Sequence, residues 1–278
     1  MNMPTISVIA GAYNVADCKS LDKSIKSVLD QTFADFEFIL CDDGSDDSTY
    51  EMLKKYADAD SRIRLIRNDK NLGLVQTLNK CLALAEGKYI ARHDCDDYND
   101  LTRFEKQVLY LEAHEDVAVL GTAAYLFDEE GVWDVEIMPR TVENRSFLFN
   151  NPYKHGSVMM RREALEKAGG YRIAPETVRN EDYDLFMRMQ TFSHGENLED
   201  LLYYFCEDKA ARGRRKYRYR INEAKVRAKG FRALGLMPRG IPYVIKPLIV
   251  GLIPSFILTK LQKKRRKRKN ADAGGNPI

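Results

Sequence analysis

The sequence predicts an α/β fold whose sheet is parallel in its first half and mixed in its second. Three observations carry that expectation. Short apolar runs alternate with helix-periodic segments over roughly the first ninety residues, the signature of βαβ units. The two most acidic clusters, Asp42-Asp43 and Asp94–Asp97, directly follow strand-like runs. After Asp97 the alternation loosens. Ligands of such sheets sit at the carboxyl ends of the strands, so two acidic strand ends can face one crevice.

Taken in order, Thr5–Ala10 (TISVIA) is a short β-branched run that reads as a buried strand, broken by Gly11–Asn14. Leu21, Ile25, Val28 and Leu29 recur at helical spacing, predicting an amphipathic helix over Leu21–Gln31. Phe36–Cys41 is a second strand, Ser48–Ala57 a helix and Ile63–Arg67 a third strand. Leu74–Ala85 is a helix closed by Gly87, and Lys88–Arg92 is a fourth strand. Beyond the acidic cluster, Arg103–Glu112 reads as a helix and Val117–Thr122 as a strand. Tyr125–Trp133 reads as a hairpin, Ser157–Arg161 as a strand and Asp182–Gln190 as a helix.

The 278 residues are 44% hydrophobic, enough for one large domain or a domain plus an appendage. Net charge is only +3, but from Asp208 onward 21 Lys and Arg face three acids, a net of +18, which leaves −15 on the remainder. An acidic body disfavours nucleic acid as its substrate, and a basic tail favours an anionic surface such as phospholipid headgroups. Five cysteines, Cys18, Cys41, Cys81, Cys95 and Cys206, form no CxxC or zinc-type spacing and suit a reducing compartment. Met1–Pro4 leads straight into a strand with no signal-peptide pattern, so a cytoplasmic body is expected.

The strongest chemical cluster is His93-Asp94-Cys95-Asp96-Asp97. Carboxylates one residue apart at a strand end suit Mg²⁺ or Mn²⁺, which takes one or two protein carboxylates and fills its shell with phosphate oxygens and water. A DxD alone is also what a solvated acidic turn looks like. Its place after a buried strand, with a second Asp cluster at another strand end, favours the cation. In Asp42-Asp43-Gly44-Ser45-Asp46-Asp47-Ser48, Gly44 permits a tight turn and Asp47 or Ser48 can cap the next helix. Asp42 and Asp43 can accept hydrogen bonds from a base imide or a ribose hydroxyl. In Asn180-Glu181-Asp182 an acidic pair opens an apolar helix; the helix dipole explains it structurally, and a general base explains it functionally. His155, beside Gly156 and ahead of a strand, can contact a diphosphate or an acceptor. Walker A, GxGxxG after the first strand, GxSxG and HExxH are all absent, which counts against P-loop NTPases, dinucleotide oxidoreductases, α/β hydrolases and zinc proteases.

SVIAGAYN, SIKSVLDQTF, FEFILCDDGSDDST, NLGLVQTLNKCL and YIARHDCDD, followed by HGSVMMRREALEKAGGY and NEDYDLFMR, closely resemble family 2 glycosyltransferases over roughly residues 5–206. Within that family the chain looks most like exopolysaccharide-operon transferases of Gram-positive bacteria. The resemblance implies a GT-A fold, the Rossmann-like nucleotide-diphospho-sugar transferase architecture, and inversion at the anomeric carbon by single displacement. By the same resemblance Ala12, Tyr13 and Asn14 line the nucleotide base, Asp43 with Asp42 contacts it, and Asp94 lies near the ribose. Asp96 lies at the metal (Mn²⁺ or Mg²⁺), with Asp97 beside it. Asp182 is the general base and Glu181 the fallback. Implied partners are a nucleotide-sugar donor and a saccharide or lipid-linked saccharide acceptor. Sugar choice is expected from loops around Val142–His155 and Asn180–Asp182. His93 departs from the family pattern, where an apolar residue is common. No (Q/R)xxRW segment is present, so transfer of a single sugar is expected rather than processive synthesis. A nucleotidyltransferase also uses paired Asp and Mg²⁺, but the SVLxQT-type helix and the "ED" segment speak against it. A non-catalytic partner-binding protein on the same scaffold is the alternative from another class.

Residues 1–207 are thus expected to form the transferase body, 208–269 a basic membrane-associating helical appendage and 270–278 a disordered tail. Arg212–Arg232 is basic with interleaved aromatics and reads as helical. Ile241–Leu261 is apolar, but Pro242, Pro247, Pro254 and Lys246 argue against a straight spanning helix. With Lys263–Lys269 (KKRRKRK) after it, the segment reads as an interfacial anchor peripheral to the inner face of the cell membrane. A helix docked on the body with a solvated tail is the competing reading, less favoured than the anchor, and nucleic-acid binding by KKRRKRK is a third, weaker still.

Overall fold

The computed structural model describes residues 3–16, 20–207 and 216–253. Cys18, residues 212–215 of the expected basic helix, 254–261 of the apolar segment, the KKRRKRK run and the 270–278 tail lie outside the described residues.

Strands β1 (Ile6–Ala12), β2 (Phe36–Asp42), β3 (Ile63–Arg67) and β4 (Tyr89–Arg92) are joined through helices α1 (Leu21–Leu29), α2 (Thr49–Ala59) and α3 (Leu74–Leu84). All pair in parallel, in the order β3-β2-β1-β4. The short strand β5 (Tyr98–Asn99) and helix α4 (Arg103–Ala113) follow, then the hairpin of β6 (Val117–Asp128) and β7 (Gly131–Glu136). After β8 (Thr141–Val142) come β9 (Met159–Arg161), α5 (Arg162–Lys167), α6 (Glu181–Gln190) and the long β10 (His194–Cys206). The sheet continues β4-β9-β6-β10-β5, with β9 antiparallel to both neighbours and β10 parallel to β6, so the second half is mixed as expected.

Strand periodicity explains the layering. Along β2, Phe36, Phe38 and Leu40 point to one face while Ile39 and Cys41 point to the other. The first face is covered by Leu21, Ile25 and Val28 of α1, Leu53 of α2, and Phe104 and Leu111 of α4. The second is covered by Leu78 and Cys81 of α3, Leu165 of α5, and Leu185, Phe186 and Met189 of α6. Both faces of the first strands are therefore apolar, which is why those strands read as unbroken runs.

After β10 the chain forms α7 (Tyr217–Ala233) and α8 (Ile241–Leu252). Val226 and Phe231 of α7 and the following Leu234 are buried in the same core cluster as α6. Helix α7 is thus docked on the body. Among the described residues no helix is long and apolar enough to cross a membrane.

Candidate active site at the carboxyl ends of the parallel strands

Register brings the three strand ends together. Ala12 pairs with Asp42 and Ile9 with Arg92, so the turns after β1, β2 and β4 emerge side by side. The backbone N–H of Asp43 donates to Ala12 O (2.8 Å) and that of His93 to Ile9 O (3.1 Å). In the first turn Asn14 adopts φ +50°, a conformation that Asn tolerates better than most residues. Its side-chain oxygen accepts from Asp46 N (3.0 Å), and its own N–H donates to Ser45 Oγ (3.0 Å). Ala12 is buried, whereas Tyr13 is 41% exposed at the rim.

The β2 turn is held mainly from β3 and the loop after it. Asp42 is fully buried; Oδ2 is ion-paired with Arg67 Nε (2.9 Å) and Oδ1 accepts from Ser45 N. Asp43 accepts from Asn68 Nδ2 (2.7 Å), Leu72 N (2.9 Å) and Gly73 N (2.8 Å), which fixes the turn ahead of α3. Gly44 sits at φ +69°, and a Cβ there would lie 2.4 Å from the Lys70 carbonyl carbon, so this turn requires glycine. Of the two expected caps Asp47 serves, accepting from Thr49 N (3.0 Å); Ser48 makes no side-chain cap bond.

The acidic cluster after β4 divides its work. Asp94 is paired with Arg92 Nη2 at 2.5 Å. Burial acts to raise the Asp94 carboxyl, but the Arg92 guanidinium together with weaker contributions from His155 and His93 offsets it and holds the group below the ordinary carboxylate range. Asp96 is exposed at the tip of the turn. Asp97 is 1% exposed, and its Oδ1 accepts from Cys206 N (2.6 Å), fastening the end of β10. Its Oδ2 is buried without a well-formed hydrogen bond, and burial, then Asp96, then Asp94, push its carboxyl well up. An acidic group held up by neighbouring carboxylates is what a bound cation would relieve. Among the described residues no three His, Cys, Asp or Glu side chains form a closed metal cage. Asp96 and Asp97 are the donor types that a hard divalent ion takes when ligand phosphates and water complete its shell.

His93 is fully buried. Its Nε2 lies 2.8 Å from Ser24 Oγ and its Nδ1 3.3 Å from Asn99 Nδ2, while Ser24 Oγ donates to Asp94 O. The Nε2–H tautomer satisfies all three contacts. Burial, then Arg103, lowers the ring to about 3, so His93 is a neutral strut that locks the acidic turn onto α1. Ser20 Oγ adds a bond to Asp96 O (2.9 Å).

Asp182 lies in the first turn of α6. Its Oδ2 accepts from Asn151 Nδ2 (2.8 Å) and its Oδ1 from Tyr183 N (2.7 Å). That bond joins the two loops from which sugar choice is expected. Burial, then the Asp182 charge, raises Glu181 to about 7. His155 donates to or accepts from the Tyr171 hydroxyl (2.8 Å), and burial, then Arg92, lowers its ring to about 4. It is therefore neutral at physiological pH and acts as a hydrogen-bonding group rather than a cation. The ring lies within electrostatic reach of both Asp94 and Asp182, linking the DxD side of the crevice to the α6 side. A shallow cavity of about 420 Å³, lined by Thr5, Glu86, Lys88 and Arg161, lies at the opposite, amino ends of β1 and β4 and plays no part in this site.

Sequence reasoning missed Arg92 and Tyr203, and reached Asn151 only as part of the Val142–His155 loop, with no role of its own. Arg92, 0% exposed, carries Nε and Nη1 without hydrogen-bond partners and is felt electrostatically by both Asp94 and Glu181. Tyr203 places its hydroxyl over Gly156, where a Cβ would come within 1.9 Å. A charged residue closing an otherwise apolar strand was the available signal for Arg92, and the Asn-Pro-Tyr run the signal for Asn151.

The glycosyl transferase family 2 model matches residues 7–169. The putative glycosyltransferase EpsE of Bacillus subtilis is 40% identical over 264 residues, covering 94% of each chain. The UDP-Glc:alpha-D-GlcNAc-diphosphoundecaprenol beta-1,3-glucosyltransferase WfaP of Escherichia coli is 29% identical, over 67% of this chain and 70% of its own. In fold, the S. aureus TarS 1–349 complex with UDP-GlcNAc superposes with a TM-score of 0.69 at 18% identity, covering 87% of this chain and 74% of that one. The mannosyltransferase PcManGT of Pyrobaculum calidifontis, in complex with GDP-Man and Mn²⁺, gives 0.60 at 16% identity over 95% and 80%. The sheet order, the acidic strand-end turns and these likenesses agree: the chain belongs to glycosyl transferase family 2 and has the GT-A fold.

Proposed function

We propose that this glycosyltransferase inverts the anomeric centre, moving one sugar from a nucleoside-diphosphate sugar, by default a UDP-sugar, to a hydroxyl of a lipid-linked saccharide. Its place is surface-polysaccharide assembly at the inner face of the cell membrane. The observation that carries the reading is that His155 lies within electrostatic reach of both Asp94 and Asp182, with the neighbouring Gly156 packed against Asp94. The donor and acceptor named for WfaP, and the UDP-GlcNAc and GDP-Man complexes of the two structural neighbours, support the substrate class.

The turns at Ala12–Asn14 and Asp42–Asp43 receive the nucleoside, the second stiffened by the three bonds to Asp43. Asp94, oriented by Arg92, faces the ribose side, while Asp96 and Asp97 would hold Mn²⁺ or Mg²⁺. A divalent ion, when bound, neutralises the charge that develops on the departing diphosphate. Asp182, aimed by Asn151, takes the proton of the acceptor hydroxyl as that oxygen bonds the anomeric carbon and the carbon–phosphate-oxygen bond breaks. Glu181 is the fallback base. The basic segment over residues 208–269 keeps the body near its acceptor at the membrane.

Calorimetry of UDP, GDP and dTDP, each with and without Mn²⁺, tests this. One diphosphate should bind in a metal-dependent way and lose binding in Asp96→Ala, whereas Asp182→Asn should bind it normally and lose about 10²–10⁴-fold in turnover. Absence of binding by all three, or wild-type turnover in Asp182→Asn, overturns the assignment.

A further inference from the structure

Helix α8 has two apolar faces. Tyr243 and Val244 pack against the core and Pro247 is buried. On the other side Ile241, Ile245, Ile249 and Leu252 are 46%, 43%, 60% and 72% exposed. At about 100° per residue these four fall within an arc of about 80°, a continuous stripe. Such a run of large aliphatic groups is costly to leave in water. Exposed Lys246 flanks it, and between Ala224 and Ala271 the chain carries 14 Lys and Arg and no acid. Apolar area beside unopposed positive charge matches an anionic lipid surface. Twelve residues span about 18 Å, well short of a hydrocarbon core of about 30 Å, so the helix suits the plane of the interface.

The same helix touches the base side of the crevice. Tyr243 meets Phe149 edge to face at 5.0 Å, and Arg227 of α7 donates to Leu148 O (2.9 Å) and Phe149 O (3.2 Å). Two residues on, Asn151 holds Asp182.

We infer that the Ile241–Ile245–Ile249–Leu252 stripe embeds in the interface of an anionic phospholipid bilayer and thereby seats the Phe149–Asn151 loop, with Asp182, at the membrane surface. The docking stands on the exposed stripe and its charge; that it presents the base to an acceptor rests on the proposed transferase function.

The test is co-sedimentation of the full chain with phosphatidylglycerol-containing and pure phosphatidylcholine vesicles, for wild type and the Ile245→Glu/Ile249→Glu variant. Circular dichroism melting checks that both fold alike. Wild type should bind the anionic vesicles, and the double variant should bind at least about tenfold more weakly, because partitioning scales with buried apolar area. Equal binding by both proteins, which leaves the polybasic run as the sole anchor, overturns the inference. So does wild type that ignores vesicles, or a variant that differs only in oligomeric state by ultracentrifugation. UDP binding with Mn²⁺ is read on the same preparations. Its absence from both proteins removes the transferase reading, while the tenfold vesicle effect still supports the stripe.

Discussion

Glu181→Gln should stabilise the protein at alkaline pH and leave it unchanged in acid. Glu181 ordinarily titrates near 4.5; in the fold, burial and then the Asp182 charge raise it to about 7. Between those values the folded state binds more protons than the unfolded chain, so this group makes stability fall as pH rises through that window. Above pH 7 the full penalty applies. The gap from 4.5 to about 7 corresponds to about 3 kcal/mol, at about 1.4 kcal/mol for each tenfold change. Glu181 keeps an edge in solvent, and screening there reduces the expected gain to about 1–3 kcal/mol. Gln has nearly the same shape without the charge. Urea unfolding at pH 8 should show the variant more stable by that amount, and at pH 4.5 the two curves should nearly coincide, with a common m-value throughout. A difference that is the same at both pH values, or a variant less stable at pH 8, would refute the claim that Glu181 is held up by its surroundings.

Three further outcomes follow from named contacts. His93 is neutral and buried, lowered to about 3 from 6.5, so its contribution is present above pH 6.5 and lost as pH falls toward 3; the stability gap between wild type and His93→Gln should narrow from pH 7 to pH 4 in urea titrations. Arg227→Ala removes two bonds to the Leu148 and Phe149 carbonyls and leaves Glu223 without that partner, which should cost about 2–4 kcal/mol in unfolding free energy. Gly156→Ala drives a Cβ against the fully buried Tyr203 hydroxyl and to 3.0 Å from Asp94 Oδ2, so it should lose about 1–3 kcal/mol in thermal melts and weaken nucleotide binding in the same calorimetric assay.

The first half of the fold was legible because its strands are buried on both faces and its helices carry one apolar stripe each. Phe36–Asp42 and Leu74–Leu84 are unambiguous on that basis. Strand β10 was not legible. Its pairing with β6 shifts register at Leu198/Leu201 and Leu201/Tyr203, which throws Glu199 and Asp200 into solvent and destroys the period-two pattern. Only the Tyr203-Tyr204-Phe205 run hinted at it. The expected strand Ser157–Arg161 begins instead as a 3-10 turn at His155–Ser157, because Ser157 Oγ bonds Lys154 O and accepts from Thr122 N. The cost of missing β10 fell on the site, since Tyr203 and Cys206 are what Gly156 and Asp97 pack and bond against.

That cost shows what sequence motifs leave unsaid about carboxylates. Asp42, Asp43, Asp94, Asp96, Asp97 and Asp182 look equivalent as letters at strand and helix ends, yet the fold assigns them different amounts of remaining bonding capacity. A carboxylate offers about four acceptor positions. Asp43 has three occupied by the loop between β3 and α3, so it cannot move far toward a ligand without loosening that loop, whereas Asp97 has one oxygen fastened to β10 and the other without a well-formed hydrogen bond. Asp96 is exposed, and Asp182 is held by one amide from a neighbouring loop and by Tyr183 N. Chemistry that needs a carboxylate to meet an incoming cation or proton belongs to the second kind, and rigidity around the nucleoside to the first. Arg92 supplies one buried positive charge beside this group: paired to Asp94 and felt by Glu181 and His155, it offsets part of the repulsion that still raises Asp97 and Glu181.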